Sequence, residues 1–125
     1  MSIREHIMPG TLLCGRAALD QLGHELSLRS WRRIAILADL KNRSRIRREF
    51  SRIHRQPDTV LQFAEENDPH LLSGIDALIL AGRERELPVP IESDTPRIWI
   101  PLRDNDLLRP VEAEISVLDR RLIKN

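Results

Sequence analysis

Tyrosine is absent from this chain, and only Trp31, Phe50, Phe63 and Trp99 carry large aromatic rings. So sparse a set argues against the stacked-base platforms by which proteins hold single-stranded nucleic acid. Cysteine is scarcer still. Cys14 alone cannot close an internal disulfide or build a zinc cluster, which points to a reducing compartment. No stretch approaches the roughly 18 apolar residues of a membrane-spanning helix. The opening Met1-Ser-Ile-Arg-Glu-His6 lacks the charged-then-apolar pattern of a secretory signal. The expectation is a cytoplasmic protein with no membrane partner. Internal repeats and low-complexity tracts are missing as well.

What is present suits one domain over residues 1–125, since 125 residues with 41% hydrophobic and 31% charged content can bury a core. The net charge of +1 conceals a split. Residues 1–60 hold twelve Lys/Arg against six Asp/Glu, whereas residues 61–125 hold eight against thirteen. Eighteen of the twenty basic residues are arginine, the side chain best shaped for carboxylate and phosphate pairing.

Periodicity orders the chain. Gly10 to Gly15 reads as a short strand closed by a turn, and Leu19, Leu22 and Leu26 mark one face of a helix over Ala17–Leu26. Gly23 weakens that helix but can permit close packing. Arg33–Ala38 is apolar at consecutive positions, as in a parallel strand buried on both faces. Ile46, Phe50 and Ile53 predict a second helix over Arg43–His54, with Asn42 or Ser44 as its cap. Further strands are expected at Thr59–Ala64, Ile75–Ala81, Arg97–Leu102 and Ala113–Leu118, with Pro101 marking an edge strand or a strand end. Glu65–Ser73 and the segment holding Pro88, Pro90 and Pro96 read as irregular. The expected fold class is α/β: a single Rossmann-like domain with a mostly parallel sheet and a helix-poor second half.

Several of these segments resemble, in order, the nucleotide-binding domain of the iron-containing alcohol dehydrogenase family, which includes glycerol dehydrogenases. The resemblance rests mainly on Pro9-Gly-Thr-Leu-Leu-Cys-Gly-Arg-Ala-Ala-Leu19 and its following helix, then Arg33-Ile-Ala-Ile-Leu-Ala-Asp39. Glu66-Asn-Asp-Pro-His70, Ile75-Asp-Ala-Leu-Ile-Leu-Ala-Gly82, Ile98-Trp-Ile-Pro101 and Glu114-Ile-Ser-Val-Leu-Asp119 follow in family order. There are departures. Ala81-Gly82-Arg83-Glu84 stands where the family has a glycine-rich phosphate turn, and Leu102–Leu108 lacks the glycines of the later Thr/Gly-rich loop. The helical domain that carries the family's metal ligands has no counterpart in these residues. The resemblance implies cofactor-binding roles for Asp39, at a ribose hydroxyl, and for Gly82, at the phosphates, with NAD(P) as the cofactor. Read from the residues alone, Asp39 can equally end its strand or cap the next helix.

Other chemistry is thin. His6, His24, His54 and His70 sit in different elements without ligand spacing, so no metal site is expected. Cys14 in its apolar run reads as a buried, inert thiol. Glu84 and Glu86 lie among arginines as a solvated charged loop, and no catalytic residue is assigned. Lys41–Arg55 packs seven Lys/Arg and one Glu into fifteen residues. Arg43, Arg45, Arg47, Arg48 and Arg52 make a basic helix face that suits solvent, an acidic protein surface or nucleic-acid phosphates. The expected function is that of a non-catalytic, dehydrogenase-like domain, with no cofactor, acting by contact with a protein partner or by homo-oligomerisation. Two alternatives are a weak NAD(P)-binding accessory or sensor domain and nucleic-acid binding through residues 41–55.

Overall fold

Each consecutive apolar run becomes a strand, and all the strands join one sheet. The computed structural model describes residues 10–38, 40–53, 57–63, 74–82, 95–103 and 113–123. In chain order these form β1 (Thr11–Gly15), α1 (Ala18–Leu28), β2 (Arg33–Ala38), α2 (Leu40–Phe50), β3 (Val60–Phe63), β4 (Ala77–Ala81), β5 (Arg97–Ile100) and β6 (Ile115–Asp119). The six strands are ordered β1-β6-β5-β4-β2-β3, and every neighbouring pair is parallel. The fold is thus α/β with a Rossmann-like parallel sheet. Both described helices come from the first fifty residues. Neither is long and apolar enough to cross a membrane.

Alternation along the strands assigns side chains to two faces. On the first face Ile34, Ile36, Ile79, Ile98, Ile115 and Val117 meet Leu19, Leu22 and Leu26 of α1 and Ile46 and Phe50 of α2 in one buried cluster. Gly23 is buried on α1 beside these leucines, as close packing of that helix requires. On the second face Ala35, Leu37, Leu78 and Leu80 form a smaller cluster, with Trp99 also buried.

The outer strands differ from the inner ones. β4 is buried at every position, whereas β1 buries only Leu13 and β3 alternates exposed with half-buried residues. Leu12 is 47% exposed and Val60 51% exposed, both on the second face at opposite margins of the sheet. Cys14 shares the face of Leu12 and is exposed. This corrects the expected buried thiol: β1 lies at a margin where only its first face is covered, and the two-residue period turns Cys14 the other way.

Boundaries shift by a few residues for physical reasons. α2 begins at Leu40, three residues before the expected start, and Asn42 lies inside it, where its side chain accepts a hydrogen bond from Arg45 at 3.1 Å. β5 sits between β4 and β6 and ends at Ile100, so Pro101 follows a strand end and does not mark an edge. α1 ends through a paired turn: the Trp31 N–H donates to the Leu26 carbonyl and the Ser30 N–H to that of Ser27, both at 3.1 Å. That geometry places Ser30 at φ 56°, a left-handed conformation that favours glycine. Ser30→Gly should therefore raise stability by about 0.5–1 kcal/mol, read as a higher denaturant midpoint with an unchanged slope.

Candidate functional site

The order of the strands makes one boundary special. From β2 the chain moves outward through α2 to β3, and from β4 it moves the other way to β5 and β6. Neighbouring strands whose continuations diverge leave a crevice at their carboxyl ends, where open parallel sheets bind ligands. Here those ends are Ala38 and Ala81, which are directly paired. Gly82 follows Ala81 and is buried, with φ 96°. Asp39 follows Ala38 in sequence and falls outside the described residues. The two positions singled out from sequence are thus the immediate successors of paired residues.

Electrostatics at this end are mixed. α2 starts just past β2, and its first turn carries no acidic residue, so the partial positive charge of its N-terminus is not offset from within the helix. Gly82 itself suits a dinucleotide phosphate less well. A phosphate turn needs free backbone N–H groups, yet the Gly82 N–H donates to the Ile100 carbonyl at 3.0 Å. The amide of this glycine is thus committed to the sheet. Among the described residues, the one amide that the resemblance assigns to the phosphates is therefore already used within the sheet.

The start of α1 is already occupied by a protein anion. Ala17, at its N-cap position, makes no side-chain capping bond. Instead Asp119, fully buried at the end of β6, accepts the Leu19 N–H at 3.0 Å. The same carboxylate accepts the Arg121 N–H at 2.9 Å and its guanidinium at 2.9 Å and 3.2 Å. Burial pushes the Asp119 carboxyl up, but the Arg121 side chain and the two backbone N–H groups outweigh it, and the net shift is below the ordinary carboxylate value. Asp76 works similarly at the other end of the sheet. It accepts the Arg33 and Arg32 N–H groups at 3.0 and 2.8 Å, and these bonds, Arg33 first, lower its pKa. Neither acid was singled out from sequence. The available hint for Asp119 was a helix starting at Ala17 with no Ser, Thr, Asp or Asn to cap it.

The arginine face of α2 divides in two. Arg47 and Arg43 lie over the Phe63 ring, at 4.9 and 5.8 Å from its centroid. Arg45 donates to the Leu122 carbonyl at 2.7 Å, tying α2 to the turn after β6. Arg43 and Arg45 are half-buried in these contacts, while Arg47, Arg48 and Arg52 are exposed, Arg47 over the Phe63 ring and Arg52 3.8 Å from Glu49. Of the histidines, only His24 is described, and it is exposed on α1. Among the described residues no three His, Cys, Asp or Glu side chains gather as a metal site. No family model matches the sequence, and no curated protein or solved structure matches it either.

Proposed function

We propose that the chain is a non-catalytic domain, a reduced relative of the nucleotide-binding half of iron-type alcohol dehydrogenases, that acts in the cytoplasm by contact with a protein partner or with its own copy. The observation that carries this reading is the uncovered β1 margin. Parallel sheets are ordinarily covered on both faces, but here the second face exposes Leu12 and Cys14 and leaves Leu118 only half-buried. Leu12 and Cys14 pair in register with Ser116 and Leu118, so the four form one contiguous patch. Light scattering at micromolar concentration should then report a dimer or a larger assembly. Leu12→Asp should weaken that assembly at least about tenfold, with an unchanged circular dichroism spectrum. A wild-type chain that stays monomeric and retains no partner in pull-down overturns the reading.

A second reading is favoured by the start of α2 at the crevice between β2 and β4: weak NAD(P) binding in an accessory or sensor role. Calorimetric titration with NAD(H) and NADP(H) should then give saturable heat, little dependence on salt, and complete loss in Asp39→Ala. Absence of heat removes this reading and leaves the first untouched.

A further inference from the structure

The β1 margin is an open sheet edge as well as an uncovered face. Among the described residues β1 pairs with β6 alone. The Thr11 N–H donates to the Glu114 carbonyl at 2.7 Å, and the Gly15 carbonyl accepts the Arg120 N–H at 3.4 Å. Backbone groups alternate in direction along a strand, so those of Leu12 and Cys14 point away from β6. Natural sheet edges are commonly blunted by charge, proline or a bulge. Thr11-Leu-Leu-Cys-Gly15 has neither charge nor proline, and its register with β6 runs unbroken. The Leu12 and Cys14 side chains are exposed too, so an incoming strand meets an apolar surface. β3, the edge at the other margin, offers less. It places the exposed, polar Gln62 beside Val60, and it carries Arg47 over Phe63.

A second copy of β1 fits this edge because the strand is complementary to itself. Turned antiparallel about a two-fold axis at Leu13, the two copies set Leu12 opposite Cys14 and Cys14 opposite Leu12. Both residues of each pair turn their backbone groups outward, so each pair can exchange both of its hydrogen bonds. The exposed charges match in the same arrangement. Glu114 precedes β6, whereas Arg16 and Arg120 follow β1 and β6. All three are exposed, and none makes an ion pair among the described residues. The two-fold brings Arg16 of the second copy opposite Gly10, one residue before the Thr11–Ile115 pair. Glu114 then lies two strand spacings from that arginine, about 10 Å between Cα atoms. Gly10 stands between them and has no side chain to keep the guanidinium from the carboxylate. A parallel neighbour would instead set like charges side by side. We infer, on the basis of the self-contact proposed above, that two copies join edge to edge through antiparallel β1 strands, continuing one six-stranded sheet into the next.

Disulfide cross-linking reads the register. Directly opposed residues lie about 5.5 Å apart at Cα, within disulfide reach, whereas diagonal neighbours lie beyond it. Two chains serve: wild type, with its thiol at position 14 alone, and Leu12→Cys/Cys14→Ser, with a thiol at position 12 alone. Under mild oxidation with copper phenanthroline, their equimolar mixture should form covalent dimers at least about tenfold faster than either chain alone, read by non-reducing electrophoresis. Arg16→Glu should weaken the dimer at least about threefold in light scattering, and adding Glu114→Arg should restore it. Circular dichroism should stay unchanged in every variant. A chain that is monomeric in solution, a mixture that cross-links no faster than its components, or a charge swap without rescue would overturn this pairing. The proposed function itself falls only when the chain is monomeric and also retains no partner in pull-down.

Discussion

Asp119→Ala should cost about 3 kcal/mol of folding free energy, which lowers the melting temperature by roughly 10 °C for a domain of this size. The carboxylate is fully buried and serves two elements at once. It accepts the Leu19 N–H, one of the orphan donors at the start of α1, and it holds the backbone and side chain of Arg121. Truncation leaves that N–H unpaired in a closed space and removes the anion that offsets the helix dipole. Asp119→Asn, which keeps the shape without the charge, should fall between alanine and wild type. The pH dependence has a definite sign. An unfolded Asp119 takes up its proton near the ordinary value of 3.8, but the folded one does so only at lower pH. Its contribution is complete above the unfolded value and declines as pH falls below it through the lowered folded value. Denaturation curves between pH 7 and pH 2 should show wild type losing part of its advantage over Asp119→Asn below about pH 4.

Gly10→Ala should be comparably damaging, at about 3 kcal/mol, through a different cause. Gly10 immediately precedes β1, where the Thr11 N–H donates to the Glu114 carbonyl at 2.7 Å. A methyl group on Gly10 would be driven into the backbone carbonyls of Ala113 and Glu114, which are not side-chain ends that can swing away. The two strands would have to part at their start. Hydrogen exchange should therefore accelerate across β1 and β6, which pair from Thr11–Ile115 to Gly15–Asp119, before it does so in β2 and β4. Uniform acceleration over all six strands would show that the strain spreads and is not confined to this pair.

Much of the fold was legible where burial is continuous. Arg33–Ala38 reads as a two-faced parallel strand from its unbroken apolar run, and so does Ala77–Ala81 within the slightly longer expected segment. α1 was legible from three leucines on one face, all of them now buried on the sheet. What escaped was set by strand order, which no local pattern encodes. Cys14 has apolar neighbours in sequence, yet its exposure follows from β1 pairing only with β6. Asp119 caps a helix one hundred residues earlier, so no window around either end contains both partners. The fate of the Gly82 amide was equally hidden, because its acceptor, Ile100, belongs to a strand that sequence alone could not place beside it. The arginine face was easy to see but not to apportion. Phe63 claims Arg43 and Arg47 only because β3 lies beside β2.

The pairing of β1 with β6 also bears on the order in which the domain can be made. During synthesis β1 and α1 emerge roughly a hundred residues before the strand and the carboxylate that complete them, and helix-length segments without tertiary support are marginal in water. The β2–β4 centre can assemble from a shorter span, but the opening strand must wait for the closing one. Such distant pairing slows folding, and it leaves the leucine face of α1 exposed on the nascent chain for that interval. The last part of this sheet to be translated is the part that decides when the first is safe from aggregation.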